Sequence, residues 1–104
     1  MSMPGGFTTV RLVTEEVKKI CLKVKPEIEK MIPVNCKDYI PVFYKTQVVA
    51  GTNYLVKVDV CQEDKEEDKC VHAMIFQALP CDGGDLSVTG VQFPKLLTDP
   101  LVPF

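Results

Sequence analysis

The readiest chemistry in this 104-residue chain lies in five cysteines and a single histidine. Cys70 and His72 stand two apart in "KCVHAMIF", and a thiol beside an imidazole is the pairing that activates a sulfur nucleophile. The spacing works against that use. Both residues fall in an alternating stretch, and neighbours i and i+2 on a strand form neither a proton relay nor an oxyanion hole by themselves. His72 is read as a structural or merely surface residue. The run "EDKEED" offers carboxylates, but a flexible charged loop does not hold two acids at fixed spacing against a cleft. Gly83-Gly84 precedes a strand pattern rather than a helix, so it opens no phosphate cradle. Cys21, Cys36, Cys61, Cys70 and Cys81 contain no C-x-x-C spacing, which leaves a zinc site or a dithiol redox pair unsupported. The chain is read as having no catalytic residues, no metal and no cofactor. An enzyme is disfavoured.

Composition narrows the partners. A formal net charge of −2 gives no reason to expect a phosphate-rich partner such as nucleic acid. No apolar run approaches a membrane span, and "MSMPGGFTTV" has no basic region followed by an apolar one. The chain is therefore expected to be neither secreted nor membrane-anchored. An odd cysteine count cannot pair completely within one chain, and mostly reduced thiols in the cytoplasm is the expected state. The length suits one domain, residues 1–104, around one modest core.

The elements that must position any functional residue are legible in the hydrophobic pattern. Pro4-Gly5-Gly6 should keep the first residues extended or flexible. In "TEEVKKICLKVKPEIEKM" Thr14 can cap a helix, with Glu15 and Glu16 in the first turn, where the dipole favours negative charge. Val17, Ile20, Cys21, Val24, Ile28 and Met31 recur at spacings of three and four and make one apolar stripe. Glu15 and Lys19 add an i,i+4 pair outside. Pro26 predicts a kink rather than two helices, because the stripe keeps its phase across it. A connector follows at Pro33–Lys37. After it the chain reads as strands: "VFYKTQV", "TNYLVKVDV", "VHAMIFQAL" and "LSVTGVQF", with Gly90 a bulge candidate. Tyr54, Val56, Val58 and Val60 alternate against Asn53, Lys57 and Asp59, which are expected on the other face. "CQEDKEEDKC" between the second and third of these strands reads as a solvated loop. The pattern predicts an α+β domain: a single α-helix packed against a wrapped antiparallel β-sheet of four to five strands, with no second layer to hide a pocket.

One turn is odd. A hairpin tip ordinarily carries Asn, Asp or Gly among polar residues, and this one carries Val48, Val49 and Ala50 before Gly51. Either these valines pack under a neighbouring loop or they face water to meet a partner. In a meander, turns after alternate strands leave the same end of the sheet, so the turn at Leu79-Pro80 should neighbour the tip. The arm containing Met3, Pro4, Gly5 and Gly6 can reach the same edge. Three small apolar projections in a row form a wedge, and wedges fill grooves.

Gln47-Val48-Val49-Ala50-Gly51 has the Q-x-V-x-G form of the cystatins, inhibitors of papain-like cysteine proteases. "KTQVVAGTNYLVKV" resembles the stefin, or type 1, branch, and the likeness extends to Pro4-Gly5-Gly6, "VKPEIEK", "VHAMIFQALP" and weakly "LVPF". It implies the cystatin-like fold and reversible, tight-binding inhibition of papain-like cysteine proteases such as lysosomal cathepsins. Pro4, Gly5 and Gly6 would mark the arm on the non-primed side of the protease cleft. Gln47, Val48, Val49, Ala50 and Gly51 would form the loop over the catalytic centre, and Leu79 and Pro80 the loop touching the primed side. The alternative is a cystatin-fold binding module that does not inhibit. A monomer is expected, with a domain-swapped dimer as the second state and Val48–Ala50 as its hinge. The chain departs from the family in its five cysteines, in the longer loop between Cys61 and Cys70, and in "TDPLVPF" where the family ends in a more acidic tail. Facing cysteines across an antiparallel pair come within bridging range, which makes Cys61 and Cys70 a candidate pair under oxidation.

Overall fold

The computed structural model of the protein describes residues 6–32, 38–61, 69–102 and 104, excepting the side chains of Cys61 and Asp82. Pro4, Gly5, the connector at 33–37, Pro103 and the charged loop at 62–68 lie outside the described residues.

Helix α1 spans Glu15–Met31, and Thr14 caps it as the sequence predicts: its Oγ1 accepts from the Val17 amide at 3.3 Å. The helix runs through Pro26 as one element. Pro26 and Leu22, whose carbonyl an amide at position 26 would have met, are both exposed, so water can satisfy that carbonyl. The buried stripe is Val17, Ile20, Cys21, Val24 and Ile28, but it closes on Ile32 instead of Met31. The helix ends at Met31, and extended backbone at Ile32 (φ −116°, ψ 149°) turns that side chain inward while Met31 stays outside. Glu15 reaches Lys18 at 3.7 Å rather than Lys19. Both partners are exposed, so the pair contributes little.

Five strands follow chain order in one antiparallel meander: β1 (Arg11–Leu12), β2 (Asp38–Val49), β3 (Gly51–Cys61), β4 (Lys69–Gln77) and β5 (Leu86–Lys95). The helix packs on the face carrying Val56, Val58 and Val60 of β3 and Val71, Ala73 and Ile75 of β4. Tyr39 of β2 donates its hydroxyl to the Cys21 carbonyl at 2.8 Å and ties sheet to helix. The pairing register shifts in β2 between Pro41 and Phe43, and opposite Met74–Ile75, where Val88 and Gly90 pair and Thr89 is extra. Gly90 thus sits at a bulge, as its break in alternation suggests. Such bulges bend strands and let a sheet wrap a helix.

The far face of the sheet corrects the sequence reading. Lys57 is only 3% exposed and His72 0%, and Leu55 and Cys70 are buried beside them. A second layer covers them: residues 96–102, with Phe104, return across the sheet as a strap. The Lys57 ammonium donates to the Leu97 carbonyl at 2.6 Å and to the Asp99 carbonyl, Leu101 is buried, and Phe104 lies against Gly90. Alternation shows that two faces differ. It does not show that a tail will come back over the polar one. The apolar Leu55, out of phase with its neighbours, is the one trace of this in the strand itself.

The register also bears on Cys61 and Cys70. Cys70 faces Asp59 across the ladder, and Val60 faces Lys69. The two cysteine positions are therefore diagonal, about 7–8 Å apart between such neighbours, and beyond disulfide reach in this register. Cys70 is a buried thiol.

Candidate functional site

At the β2–β3 turn Val49 pairs with Gly51, so Ala50 alone makes the corner. That tightness needs glycine at 51 on two counts. Its φ is +134°, a conformation L side chains rarely adopt, and a Cβ there would stand 2.5 Å from the Gln77 carbonyl oxygen and 2.7 Å from the Phe76 ring. Gln47 and Asn53, each three residues from Ala50, face one another, and the Asn53 amide donates to Gln47 Oε1 at 2.9 Å. The hairpin is thereby stiffened just below its tip. Beyond this tie Val48 is 73% and Val49 44% exposed, and Ala50 is exposed too. Of the two fates open to these valines, the structure takes the second: they face water.

The β4–β5 turn lies beside this tip. Leu79 is extended (φ −60°, ψ 150°) and 39% exposed, and Pro80 opens a short 3-10 turn to Asp82. Proline suits that first position because no amide is required there. Gly83 (φ +102°) and Gly84 (φ +66°) close the turn, their amides donating to the carbonyls of Pro80 at 3.2 Å and Leu79 at 3.0 Å. A shallow depression separates the two tips. Gly51 and Thr52 line one wall, Gln77 to Pro80 and Gly83-Gly84 the other, and Glu16 reaches it from the start of α1. Tyr54 donates to Gln77 Oε1 at 3.4 Å nearby. Burial first, then the Glu16 and Tyr44 charges, holds its phenol above the usual range.

The amino-terminal segment runs antiparallel to β2. Arg11 faces Tyr44, the Thr8 amide donates to the Thr46 carbonyl at 2.9 Å, and the Thr46 amide donates to Thr8 Oγ1 at 3.1 Å. Phe7 and Gly6, stepping back from Thr8, therefore lead toward Gln47 and the valines. Gly6, the first described residue, is exposed. The described start of this segment, at Gly6, and both turns lie toward one end of the sheet.

No family model matches the chain. Similar proteins do. Cystatin-A of Homo sapiens is 38% identical over 98% of this chain and 99% of its own length. Cystatin-B of Oplegnathus fasciatus is 35% identical over 98% and 97%. Leukocyte cysteine proteinase inhibitor 1 of Sus scrofa is 36% identical over 98% and 94%. The chain is a cystatin of the type 1, or stefin, branch.

In this stefin the residues singled out from sequence fall as follows. Gln47, Val48, Val49, Ala50 and Gly51 form one hairpin tip, and Leu79 and Pro80 form the neighbouring one. Gly6 lies on the segment leading to them, while Pro4 and Gly5 are outside the described residues. Gln47 is half-buried and bonded across the hairpin, so its side chain braces the tip instead of projecting from it. Sequence reasoning missed Asn53 and Glu16. The symmetric placement of Gln47 and Asn53 about Ala50 could have given the first. Nothing local gives Glu16, which reaches the tips only through the packing of helix on sheet. The thiol–imidazole pair is elsewhere, buried on the strapped face. Burial first, then Lys57 and Lys95, brings the His72 imidazole down to about 4. That is the wrong direction for a base acting on a thiol near neutrality.

Proposed function

We propose that this stefin is a reversible, tight-binding inhibitor of papain-like cysteine proteases, lysosomal cathepsins among them, and is not itself an enzyme. The observation that carries the reading is the pair of exposed valines held on a braced tip beside Leu79-Pro80. The name of the porcine relative, a cysteine proteinase inhibitor, supports it. Gln47 to Gly51 would sit over the catalytic centre, Leu79 and Pro80 on the primed side, and Pro4, Gly5 and Gly6 along the non-primed side. Burying each valine in a groove contributes roughly 1.5–3 kcal/mol, against the freedom lost on association. Because the hairpin is tied below its tip, little of that gain goes to ordering a loop. The partner is a protein cleft, with no part for nucleic acid or membrane. A monomer suffices, since one copy supplies all three projections. The cytoplasm fits the cysteine usage, and among the described residues no helix is long and apolar enough to cross a membrane.

Titrating active papain while following a small peptide substrate tests this directly. Stoichiometric loss of activity is expected. Unchanged activity at micromolar protein would reject inhibition and favour a cystatin-fold binding module with other contacts.

A further inference from the structure

The strap over the far face is held by an unusual set of groups. Lys57 is one of two buried polar side chains among the described residues, and its ammonium is spent on two strap carbonyls. The other is His72, directly across the ladder from Lys57. Neither of its ring nitrogens has a hydrogen-bond partner among the described residues, and the buried Gln92 Oε1, on the strand at its other side, is likewise unmatched. An imidazole in that setting is tolerated while neutral. Protonated, it becomes a second cation beside Lys57, buried at a site where neither ring nitrogen is hydrogen-bonded among the described residues.

We propose that His72 is the trigger of an acid-operated latch: its protonation expels the carboxy-terminal strap, residues 96–102 with Phe104, from the sheet and leaves the helix-side core folded. The charged and titratable neighbours fix the sign. On β3, Lys57 opposes the charged imidazole, and Asp59 lies one pair further along. On β4 the neighbour is the Cys70 thiol, and on β5 Lys95 also opposes the charge. On the strap Asp99 favours it, but more weakly than burial and the two lysines together disfavour it. The Asp99 carboxylate is also engaged, accepting from the Leu96 amide at 2.8 Å within the strap's own turn.

An open strap wets the ring and raises it back toward its ordinary value of 6.5, while the closed strap holds it at about 4. Above pH 6.5 the ring is neutral in both states and the strap is seated. Below that value the open state takes up the proton first. Each unit then moves the balance about tenfold toward opening, until the closed ring also protonates near pH 4. The whole shift is at most about two and a half orders of magnitude. The inference needs no protease and stands apart from the inhibitory reading.

His72 is the chain's one histidine, so its ring gives a single unambiguous NMR signal in the full-length protein. That signal, the Leu101 methyls and the amide exchange of residues 99–102 are followed from pH 7.5 to 3.5, with the Val24 and Ile28 methyls as the core reference. The expected result is an imidazole midpoint well below 6.5, strap signals moving with it, and an unmoved core. A midpoint near 6.5, a strap indifferent to the ring's titration, or core signals moving in step would each overturn the latch. In His72→Gln, which stays neutral, the pH dependence of the Leu101 signals should vanish, and its persistence would equally overturn the proposal. Should that variant not fold, the wild-type titration decides alone.

Discussion

Val49 and Gly51 are two residues apart and answer to different demands. Val49 is exposed in the free protein, so Val49→Asp should leave the thermal midpoint almost unchanged. In the proposed complex the carboxylate would enter a desolvated groove without a partner, and affinity for papain should fall by at least ~2 kcal/mol. Competition assays beside a thermal melt separate the two quantities, and an unfolded variant would mean the tip is core. Gly51→Ala should do the reverse damage. Its φ of +134° and the 2.5 Å approach of its Cβ to the Gln77 carbonyl oxygen strain the backbone itself, at a cost of roughly 1–3 kcal/mol. Urea unfolding would register that loss directly. The tip was legible from sequence because valine at a turn is anomalous. The bracing of Gln47 by Asn53 was not, since side-chain pairing across a hairpin depends on a register the sequence leaves open.

Among the elements, the helix was the easiest to read and the strap the hardest. Thr14, the acidic first turn and the stripe to Ile28 follow from local rules, and Thr14→Ala should lower stability by about 1 kcal/mol through loss of the cap. β1, at Arg11–Leu12, was not legible: two residues carry no period, and it exists only because β2 offers an edge. The strap escaped notice because Leu96, Leu97 and Leu101 follow no strand or helix period. The Lys57 bonds to the Leu97 and Asp99 carbonyls and the burial of Leu101 show where they go. For the arm, anchoring begins at Thr8, so deleting residues 1–5 should move the melting temperature by about a degree or two. Dissociation from a protease should quicken while association hardly changes, because the two tips still dock. Stopped-flow measurement of both rates checks this, and equal dissociation rates would make the arm a passive tail.

At the scale of the molecule, two layers on one sheet give stability two different pH limits. Burial pushes the Cys21 thiol, under the helix, up to about 12 from 9.0. The folded state therefore keeps its proton where the unfolded chain has lost it. Stability is complete below pH 9 and should decline above it by up to about 1.4 kcal/mol per unit as pH rises toward 12. The Tyr54 phenol, also raised, steepens the decline at its alkaline end. Urea midpoints at pH 8 and pH 10.5 measure the loss, and in Cys21→Ala the part that begins near pH 9 should disappear. The acid limit belongs to the other layer, and no reading of composition could have separated them. Cys21 and Cys70 look alike in sequence as apolar positions, and only the topology says that one lies between helix and sheet and the other under the strap.

The one-residue corner at Ala50 has a last consequence, for the inhibitor's own survival. A peptidase cleaves a segment that it can straighten over several residues on either side of the bond. From Gln47 to Asn53 the chain can be straightened only by breaking the Val49–Gly51 and Val48–Thr52 pairs and the amide tie between its ends. Digestion at the tip therefore has to wait for the hairpin to unzip, and the same rigidity that presents the valines should set the protein's lifetime among the enzymes it meets.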